Sequence, residues 1–216
     1  MSSLKLLHSG GNSVSLNPPT SAPTSSEVAF KLPNADGSNG QFMKTDGSGN
    51  LSFGADSAGI TMAQQYRITA SSTFTNNSPI YGNFEVNDTS GYGGIGSGMS
   101  ESSGVWTFPS TGIYLIDVNQ TFHVTSNGQD RRCEIRIQHT VDGGSNWVYA
   151  AVGYTNLGVG SSTTFGTASC QSILDVTDTS QVKVRIDAYS QESATQITGN
   201  SGNNDNNYTF IRLGDT

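Results

Sequence analysis

The sequence predicts an all-β protein, and three observations support this prediction. Ser, Thr, Asn and Gly together supply 98 of the 216 residues, and these residues favour turns because they accept positive φ or bond to nearby backbone. Several segments alternate strictly between apolar and polar residues, as in strands that bury one face. No segment shows a convincing helical period. Short strands joined by many turns are therefore expected along most of the chain.

Composition and charge exclude several classes of partner. Only 33% of the residues are hydrophobic and 12% are charged, both below the usual share in a soluble domain. The net charge is −7 and the longest basic run is Arg131-Arg132, so the chain lacks the positive footprint of a nucleic-acid-binding protein. Apolar runs are far shorter than a membrane span, and the first residues lack the apolar core of a signal peptide. We expect synthesis in a cytoplasm, with neither nucleic acid nor membrane as a partner.

Three regions differ in composition. Residues 1–32 hold short apolar pulses separated by turn-forming clusters, which indicates an N-terminal arm with short strands. Residues 33–61 are dense in Asp-Gly and Gly-Asn signals with isolated apolar anchors, which predicts a stem of tight hairpins, with a disordered linker as the alternative. The short strands of residues 1–32 cannot offset their ordering entropy alone, at about 1–2 kcal/mol per residue. They need partners, either identical chains or a larger assembly.

Period-two alternation is strongest in residues 62–216, which we interpret as a head domain. Roughly eight to ten strands are expected there, and a β-sandwich of the jelly-roll kind accommodates them economically. The predicted strands carry on their apolar faces Ile80, Phe84 and Val86; Tyr114, Ile116, Val118, Phe122 and Val124; Cys133, Ile135, Ile137, His139 and Val141; Val182, Val184, Ile186 and Ala188; and Tyr208 and Phe210.

One stretch of the head resembles a known family. Ser78-Pro-Ile-Tyr-Gly-Asn-Phe-Glu-Val-Asn-Asp88, followed by Gly104-Val-Trp-Thr-Phe-Pro-Ser-Thr-Gly-Ile-Tyr-Leu-Ile116, is similar to the C1q/TNF-like jelly-roll domain and its G-x-[WFY]-[ST]-[FV]-P-x-x-G-x-Y signature. The resemblance extends over roughly residues 65–214. It implies a homotrimeric jelly-roll head.

The region before the head resembles a different group. Lys31-Leu-Pro-Asn-Ala-Asp-Gly-Ser-Asn-Gly-Gln-Phe-Met-Lys-Thr-Asp-Gly-Ser-Gly-Asn-Leu-Ser-Phe53 is similar to a segment of fibre proteins from tailed bacteriophages. This resemblance implies a virion protein with a thin trimeric stem, in which three chains bury their apolar residues against one another. The predicted contacts between subunits are Leu4, Leu6, Val28, Phe30, Phe42, Leu51, Phe53, Tyr114, Tyr208 and Phe210. For the last three, the sandwich core is an equally open position.

The sequence offers no constellation that predicts catalysis, a metal or a cofactor. Its three histidines, His8, His123 and His139, are widely separated. Cys133 and His139 would lie about 20 Å apart on one strand, too far to share an ion. The acidic pairs Asp175/Asp178 and Glu192/Asp205 stand in turn-like stretches without aromatic residues to hold a sugar. A non-enzymatic protein is predicted.

Ligand contacts are predicted in two loops of the head. Tyr92 lies in a Gly-rich segment and is expected to be exposed, whereas Trp106 is expected in the core and Trp147 in either position. The second loop contains Asn203, Asn204, Asp205 and Asn206, which could face a ligand, hold a weak Ca²⁺ site or form a plain turn. Cys133 and Cys170 are expected as buried thiols, with a disulfide as the alternative.

Two virion roles follow from these resemblances. The first is a tail-fibre tip that binds a host-surface glycan, with its N-terminal arm attached to other virion proteins. The alternative is a capsid decoration or head fibre whose arm is anchored on coat protein. A free carbohydrate-binding module is disfavoured because the first 58 residues would then lack a partner.

Overall fold

The computed structural model describes residues 4–17, 19–24, 27–55 and 59–216. The chain divides into two compact units, residues 1–57 and residues 58–216. All regular elements in the described residues are β-strands. The all-β prediction is therefore confirmed.

The amino-terminal unit consists of hairpins. Its described residues form the strands β1 (Leu4–Leu7), β2 (Ser13–Leu16), β3 (Gln41–Thr45) and β4 (Leu51–Ala55). β1 pairs with β2 and β3 pairs with β4, both antiparallel. The tight hairpin predicted for the stem region is confirmed. The apolar pulse over residues 28–32 forms no strand, although Lys31 bridges Asn50 in a parallel sense.

The carboxy-terminal unit contains thirteen strands. They are β5 (Met62–Ile68), β6 (Ala70–Ser72), β7 (Ser78–Pro79), β8 (Phe84–Val86), β9 (Ser100–Ser102), β10 (Val105–Thr107), β11 (Gly112–Val124), β12 (Asp130–Thr140), β13 (Val148–Leu157), β14 (Thr164–Val176), β15 (Lys183–Ser190), β16 (Gln196–Asn200) and β17 (Asn207–Gly214). The number exceeds the expected eight to ten because several strands are only two or three residues long and carry too little pattern to be recognised.

These strands form two sheets. Sheet I has the order β13-β12-β15-β10-β9, with β7 also paired to β15. Sheet II has the order β6-β16-β11-β17-β5-β8, with β14 also paired to β11. The β11–β14 pairing is antiparallel and runs from Gly112↔Val176 to Val124↔Thr164. One hydrophobic core contains residues of both sheets, so the head is a β-sandwich, as predicted.

The core holds the alternating apolar residues of the long strands together with an aromatic cluster. Trp106 is fully buried, as expected, and its ring lies 4.8 Å from that of Tyr66 and 5.1 Å from that of Phe210. Phe84 packs edge-on against Trp106 and Tyr208, at 4.9 and 5.1 Å. Offset and edge-on contacts of this kind are the favoured arrangements of aromatic rings. The cluster ties β5, β8, β10 and β17 together.

Two glycines, Gly104 and Gly112, begin and end the first part of the segment that resembles the jelly-roll signature. Gly104 adopts φ +80°, and a Cβ there would lie 2.5 Å from Pro79. Gly112 adopts φ +142°, and a Cβ there would lie 2.5 Å from the Gly214 carbonyl oxygen. Both positions require glycine, since the backbone is in a region that other residues rarely adopt and neighbouring backbone or side chain is close. Trp106 lies between these two glycines in the sequence, and its side chain packs in the core.

Both cysteines are buried free thiols, so the disulfide alternative is not the one found. Cys133 lies on β12 of sheet I and Cys170 on β14, which belongs to sheet II. Burial raises the pKa of each thiol to about 12. They pack as small apolar side chains.

Candidate functional site

The two predicted ligand loops differ in their exposure. Tyr92 is 53% exposed, as expected, and its backbone N–H donates to Thr89 within the same loop. Asn203 is exposed, and Asn204 and Asp205 are partly buried. Asn206 is only 2% exposed, so the prediction that it faces a ligand is wrong.

Asn206 and Asn204 connect the loop to neighbouring strands. Asn206 accepts from the backbone N–H of Ile68 at 2.8 Å and donates to the Thr198 carbonyl at 2.7 Å. Asn204 donates to Gln65 Oε1 at 2.7 Å and accepts from Asn87 Nδ2 at 2.6 Å. Amide groups that are used in this way hold the loop in place, which leaves Asn203 as the freely exposed asparagine of the predicted set.

The residues predicted to contact other subunits are buried in the carboxy-terminal unit and mostly exposed in the amino-terminal unit. Tyr114, Tyr208 and Phe210 are fully buried inside the sandwich, so they belong to the core and not to a subunit contact, a correction that alternation alone could not supply. The amino-terminal residues are exposed instead, including Phe30 at 62% and Phe42 at 61%. Leu6 and Val28 are also exposed, whereas Leu51 and Phe53 are half-buried. Leu4 lies in β1, but its side chain is outside the described part of the chain.

The outward face of sheet II carries an apolar row. Cross-strand pairing places Ala63 beside Ile211, Ile211 beside Leu115, and Leu115 beside Ile173. Ile173 is 63% exposed and the other three are half-buried. This apolar row crosses four neighbouring strands on a surface that faces away from the core.

Hydrogen-bonded pairs of polar side chains, which we call polar ladders, lie beside the apolar row on the same face of sheet II. Gln65 donates to Thr209 at 2.9 Å, and Asn119 donates to Asn207 at 3.0 Å. Further along, the hydroxyls of Thr121 and Thr167 are 2.8 Å apart. These bonds join side chains of adjacent strands, so the polar part of the face is satisfied within one chain while the apolar row is not covered.

The outward face of sheet I carries an ionic network that the sequence did not indicate. Arg136 Nε donates to Asp187 Oδ1 at 2.6 Å, and Gln138 Nε2 donates to Asp187 Oδ2 at 2.7 Å. Arg185 Nε donates to Gln138 Oε1 at 2.8 Å. Burial raises the pKa of Asp187, against the opposing effect of Arg136. Although these side chains point away from the core, Arg136, Gln138 and Asp187 are almost completely buried.

Aromatic rings cover this network. The Arg136 guanidinium lies 5.4 Å from the Tyr149 ring and 5.7 Å from the Tyr189 ring. Arg132 lies 5.2 Å from Tyr189 and 5.9 Å from Tyr154. We call this surface the arginine–tyrosine face, and its members are Arg132, Arg136, Arg185, Tyr149, Tyr154 and Tyr189. The sequence placed the charged residues on polar strand faces but gave no means of knowing that β12 and β15 are neighbours.

The candidate catalytic groups do not assemble. Asp178 accepts from the backbone and side chain of Ser180, at 2.8 and 2.7 Å, and these bonds lower the pKa of its carboxyl. A general acid needs the opposite shift. His123 lies 3.0 Å from the Thr198 hydroxyl, and His8 accepts from Gly10. Within the described ranges, no group of three or more His, Cys, Asp and Glu residues could hold a metal ion, and no helix could span a membrane.

Trp147 occupies the end of the arginine–tyrosine face. It is half-buried, its indole N–H donates to the Gly144 carbonyl at 3.0 Å, and the Arg185 guanidinium lies 4.4 Å from its ring. Of the two positions open to it, Trp147 therefore takes the surface rather than the core.

Comparison with known proteins identifies the fold. No protein-family model matches the sequence, and no curated protein matches it. Among solved structures, the Eiger TNF of S. frugiperda is similar with a TM-score of 0.52 and 8% identity, over 73% of this chain and 95% of that chain. Murine APRIL gives 0.49 and 8% identity over 70% and 98% of the two chains. The globular domain of zebrafish complement 1qA gives 0.45 and 10% identity over 72% and 99%. The similarity to Eiger TNF shows that the chain has a TNF-like jelly-roll fold.

Proposed function

We propose that this chain is a non-enzymatic structural protein of a bacteriophage virion. Three copies form a fibre whose N-terminal arm attaches to other virion proteins and whose jelly-roll head binds a host-surface glycan. The observation that carries the proposal is the distribution of apolar surface, which is exposed in both units of a single chain. The resemblance of residues 31–53 to phage fibre segments supplies the virion setting.

The amino-terminal unit supports self-association most directly. All core residues found in the described part of the chain belong to the carboxy-terminal unit. The amino-terminal unit instead exposes a series of large apolar side chains: Leu6, Leu7, Leu16, Val28, Phe30, Leu32, Phe42 and Met43. Apolar surface of this extent favours association, since each side chain gains free energy when it leaves water. Three identical arms provide that burial around one axis.

The apolar row on sheet II supports a trimeric head. Ile173, Leu115 and Ile211 lie on adjacent strands and present one continuous apolar surface. A second copy of the same chain covers it without burying an unpaired polar side chain, because the polar ladders beside it are already hydrogen-bonded within the sheet. A closed ring of three heads follows from a contact between two different patches on each subunit.

The oligomeric state tests this proposal first. Light scattering on the full chain is expected to give the mass of three subunits. Ile173→Asp places a charge on the apolar row. It is expected to raise the dissociation constant of the contact between heads at least tenfold, so that smaller species appear. Val159→Asp is the matched control, because Val159 is 68% exposed in a loop, and it leaves the mass unchanged. A monomeric wild-type chain at micromolar concentration contradicts the proposal.

The position in the virion tests the second part. Antibodies against the head are expected to label tail fibres, and the purified chain is expected to block phage adsorption to host cells. Labelling confined to the capsid would favour the decoration role instead. Incubation with host capsular polysaccharide is expected to release no reducing ends; their appearance would contradict the non-enzymatic role.

A further inference from the structure

The arginine–tyrosine face concentrates positive charge on an acidic protein. The whole chain has a net charge of −7 and ten Lys and Arg residues, and half of these ten lie on β12 and β15. On the outward face of these strands, the carboxylates of Glu134 and Asp187 are outnumbered by four cationic side chains: Arg132, Arg136, Lys183 and Arg185. A positive surface of this kind attracts an anionic partner.

The three arginines of the face differ in how many of their N–H groups are already hydrogen-bonded. Arg136 uses four of its five N–H donors, since besides Asp187 it donates to Tyr149 at 3.2 Å, to Asn77 at 2.8 Å and to the Ala188 carbonyl at 3.3 Å. Arg132 forms an ion pair with Glu134 through Nε, and its side chain is 56% exposed.

Arg185 is bound through Nε to Gln138. Across the described ranges, the terminal guanidinium nitrogens of Arg132 and Arg185 have no hydrogen-bond partner. Two free parallel N–H groups form the fork that binds a carboxylate in a bidentate manner.

The tyrosines add flat apolar surface at a defined spacing. Tyr149 is 56% exposed and Tyr154 is 63% exposed, although each ring lies close to a guanidinium. Tyr154 pairs with Glu134 and Tyr149 pairs with Gln138 across the strand. These partners are four residues apart on β12, which corresponds to about 14 Å along the strand. That length matches a short run of linked sugar rings, whose C–H faces pack on aromatic rings.

We infer that the arginine–tyrosine face binds an acidic glycan, a chain of sugars that bear carboxylates. Tyr149 and Tyr154 contact the apolar faces of the sugar rings, and Arg132 and Arg185 bind the carboxylates. The buried network of Arg136, Gln138 and Asp187 holds these groups in position from beneath. This inference rests on the proposed function, because it names the class of host glycan and places its site on sheet I rather than in the predicted loops.

Calorimetric titration of the full chain with an alginate hexasaccharide, a chain of uronic acids, tests the inference. Maltohexaose serves as the neutral probe of equal length. The uronate probe is expected to bind at least tenfold more tightly than maltohexaose, with an affinity that falls as salt increases. Equal affinity for the two probes, or no binding of the uronate probe, would overturn the inference.

Matched variants locate the site. Tyr154→Ala and Arg132→Gln are each expected to weaken uronate binding at least tenfold while the near-UV circular dichroism of the head is retained. The controls are Tyr92→Ala, which removes an exposed tyrosine elsewhere, and Arg131→Gln, which removes the neighbouring exposed arginine. Both controls are expected to bind within twofold of wild type.

Cell binding separates this inference from the proposed function. A chain that binds host cells but loses that binding in Tyr92→Ala, and not in Tyr154→Ala, retains the receptor role and overturns the site. A chain that binds neither cells nor glycans overturns both.

Discussion

The β3–β4 hairpin of the amino-terminal unit and the β12–β13 hairpin of the carboxy-terminal unit turn through segments of one kind, Asp-Gly-x-x-Asn. In the first, Asp46 accepts from the backbone N–H of Asn50 at 3.1 Å and from its side-chain amide at 2.5 Å. In the second, Asp142 accepts from the corresponding groups of Asn146 at 2.9 and 2.7 Å. The turn chemistry is therefore the same in both units.

The strands beside these turns have opposite surroundings. Every residue of β3 is exposed, whereas eight of the eleven residues of β12 are buried. Local hydrogen bonds are sufficient to specify a hairpin, but they do not provide burial. In the carboxy-terminal unit, stability comes from strands that are distant in sequence and share one core, whereas the hairpins of the amino-terminal unit leave large apolar side chains exposed.

Removal of a core aromatic is expected to give the largest difference between the units. Trp106→Ala leaves a cavity in the aromatic cluster and is expected to lower the free energy of unfolding of the head by about 3–5 kcal/mol. Phe42→Ala, in the exposed β3, is expected to change that free energy by less than about 0.5 kcal/mol. Urea denaturation followed by near-UV circular dichroism measures both. Equal losses would show that the two units share one core.

A second test adds atoms instead of removing them. A Cβ at Gly153 of β13 would lie 2.1 Å from the Ser169 carbonyl oxygen, so Gly153→Ala must displace β13 from β14. A loss of about 1–3 kcal/mol is expected. Gly158 follows the same strand with open space around it, and Gly158→Ala is the control. A Gly153→Ala variant as stable as the control would mean that these edge strands separate easily.

The sequence was sufficient for the fold wherever apolar residues alternate. Tyr114 to Val124 and Cys133 to Ile137 were recognised because apolar side chains occupy nearly every second position. The first half of β14 carries a weaker signal, since small residues such as Ala168 and Cys170 face the core there while Phe165 is 60% exposed. Alternation could not assign Tyr208 to core or interface, because both bury an apolar side chain.

The candidate site was harder to predict than the fold. The pairing of Arg136 with Asp187 joins residues that are 51 positions apart, and only knowledge of the strand order brings them together. The asparagines of residues 203–206 were expected at the surface because such residues usually form exposed turns. Asn206 is buried because its side-chain oxygen accepts from the backbone N–H of Ile68, in place of a carbonyl of a neighbouring strand.

Loss of the turn asparagine is expected to have a small effect that depends on the unit. Asn146→Ala removes the side-chain amide that binds Asp142 and is expected to lower the Tm of the head by about 2 °C, because that turn joins two paired strands of the sandwich. Asn50→Ala removes the same contact from the β3–β4 hairpin and is expected to leave the Tm of the head unchanged. Differential scanning calorimetry of the two variants measures this. Equal shifts would contradict the separation of local and global stability.

Titration of Asp46 and Asp142 compares the two turns through the pKa of a single carboxyl group in each. Hydrogen bonds hold the pKa of both carboxyls below the ordinary value of 3.8, chiefly through Asn50 for Asp46 and through Thr140 for Asp142. A carboxyl with a lower pKa in the folded state stabilises that state above pH about 4, and the contribution is lost as pH falls through the folded pKa. Asn50→Ala is therefore expected to return the pKa of Asp46 most of the way to 3.8, whereas Asn146→Ala raises that of Asp142 less, because the Thr140 hydroxyl still donates to it at 2.6 Å. Carboxyl carbon shifts measured by NMR between pH 1.5 and 6 would distinguish these outcomes, and a larger rise at Asp142 would show that its threonine is not the main donor.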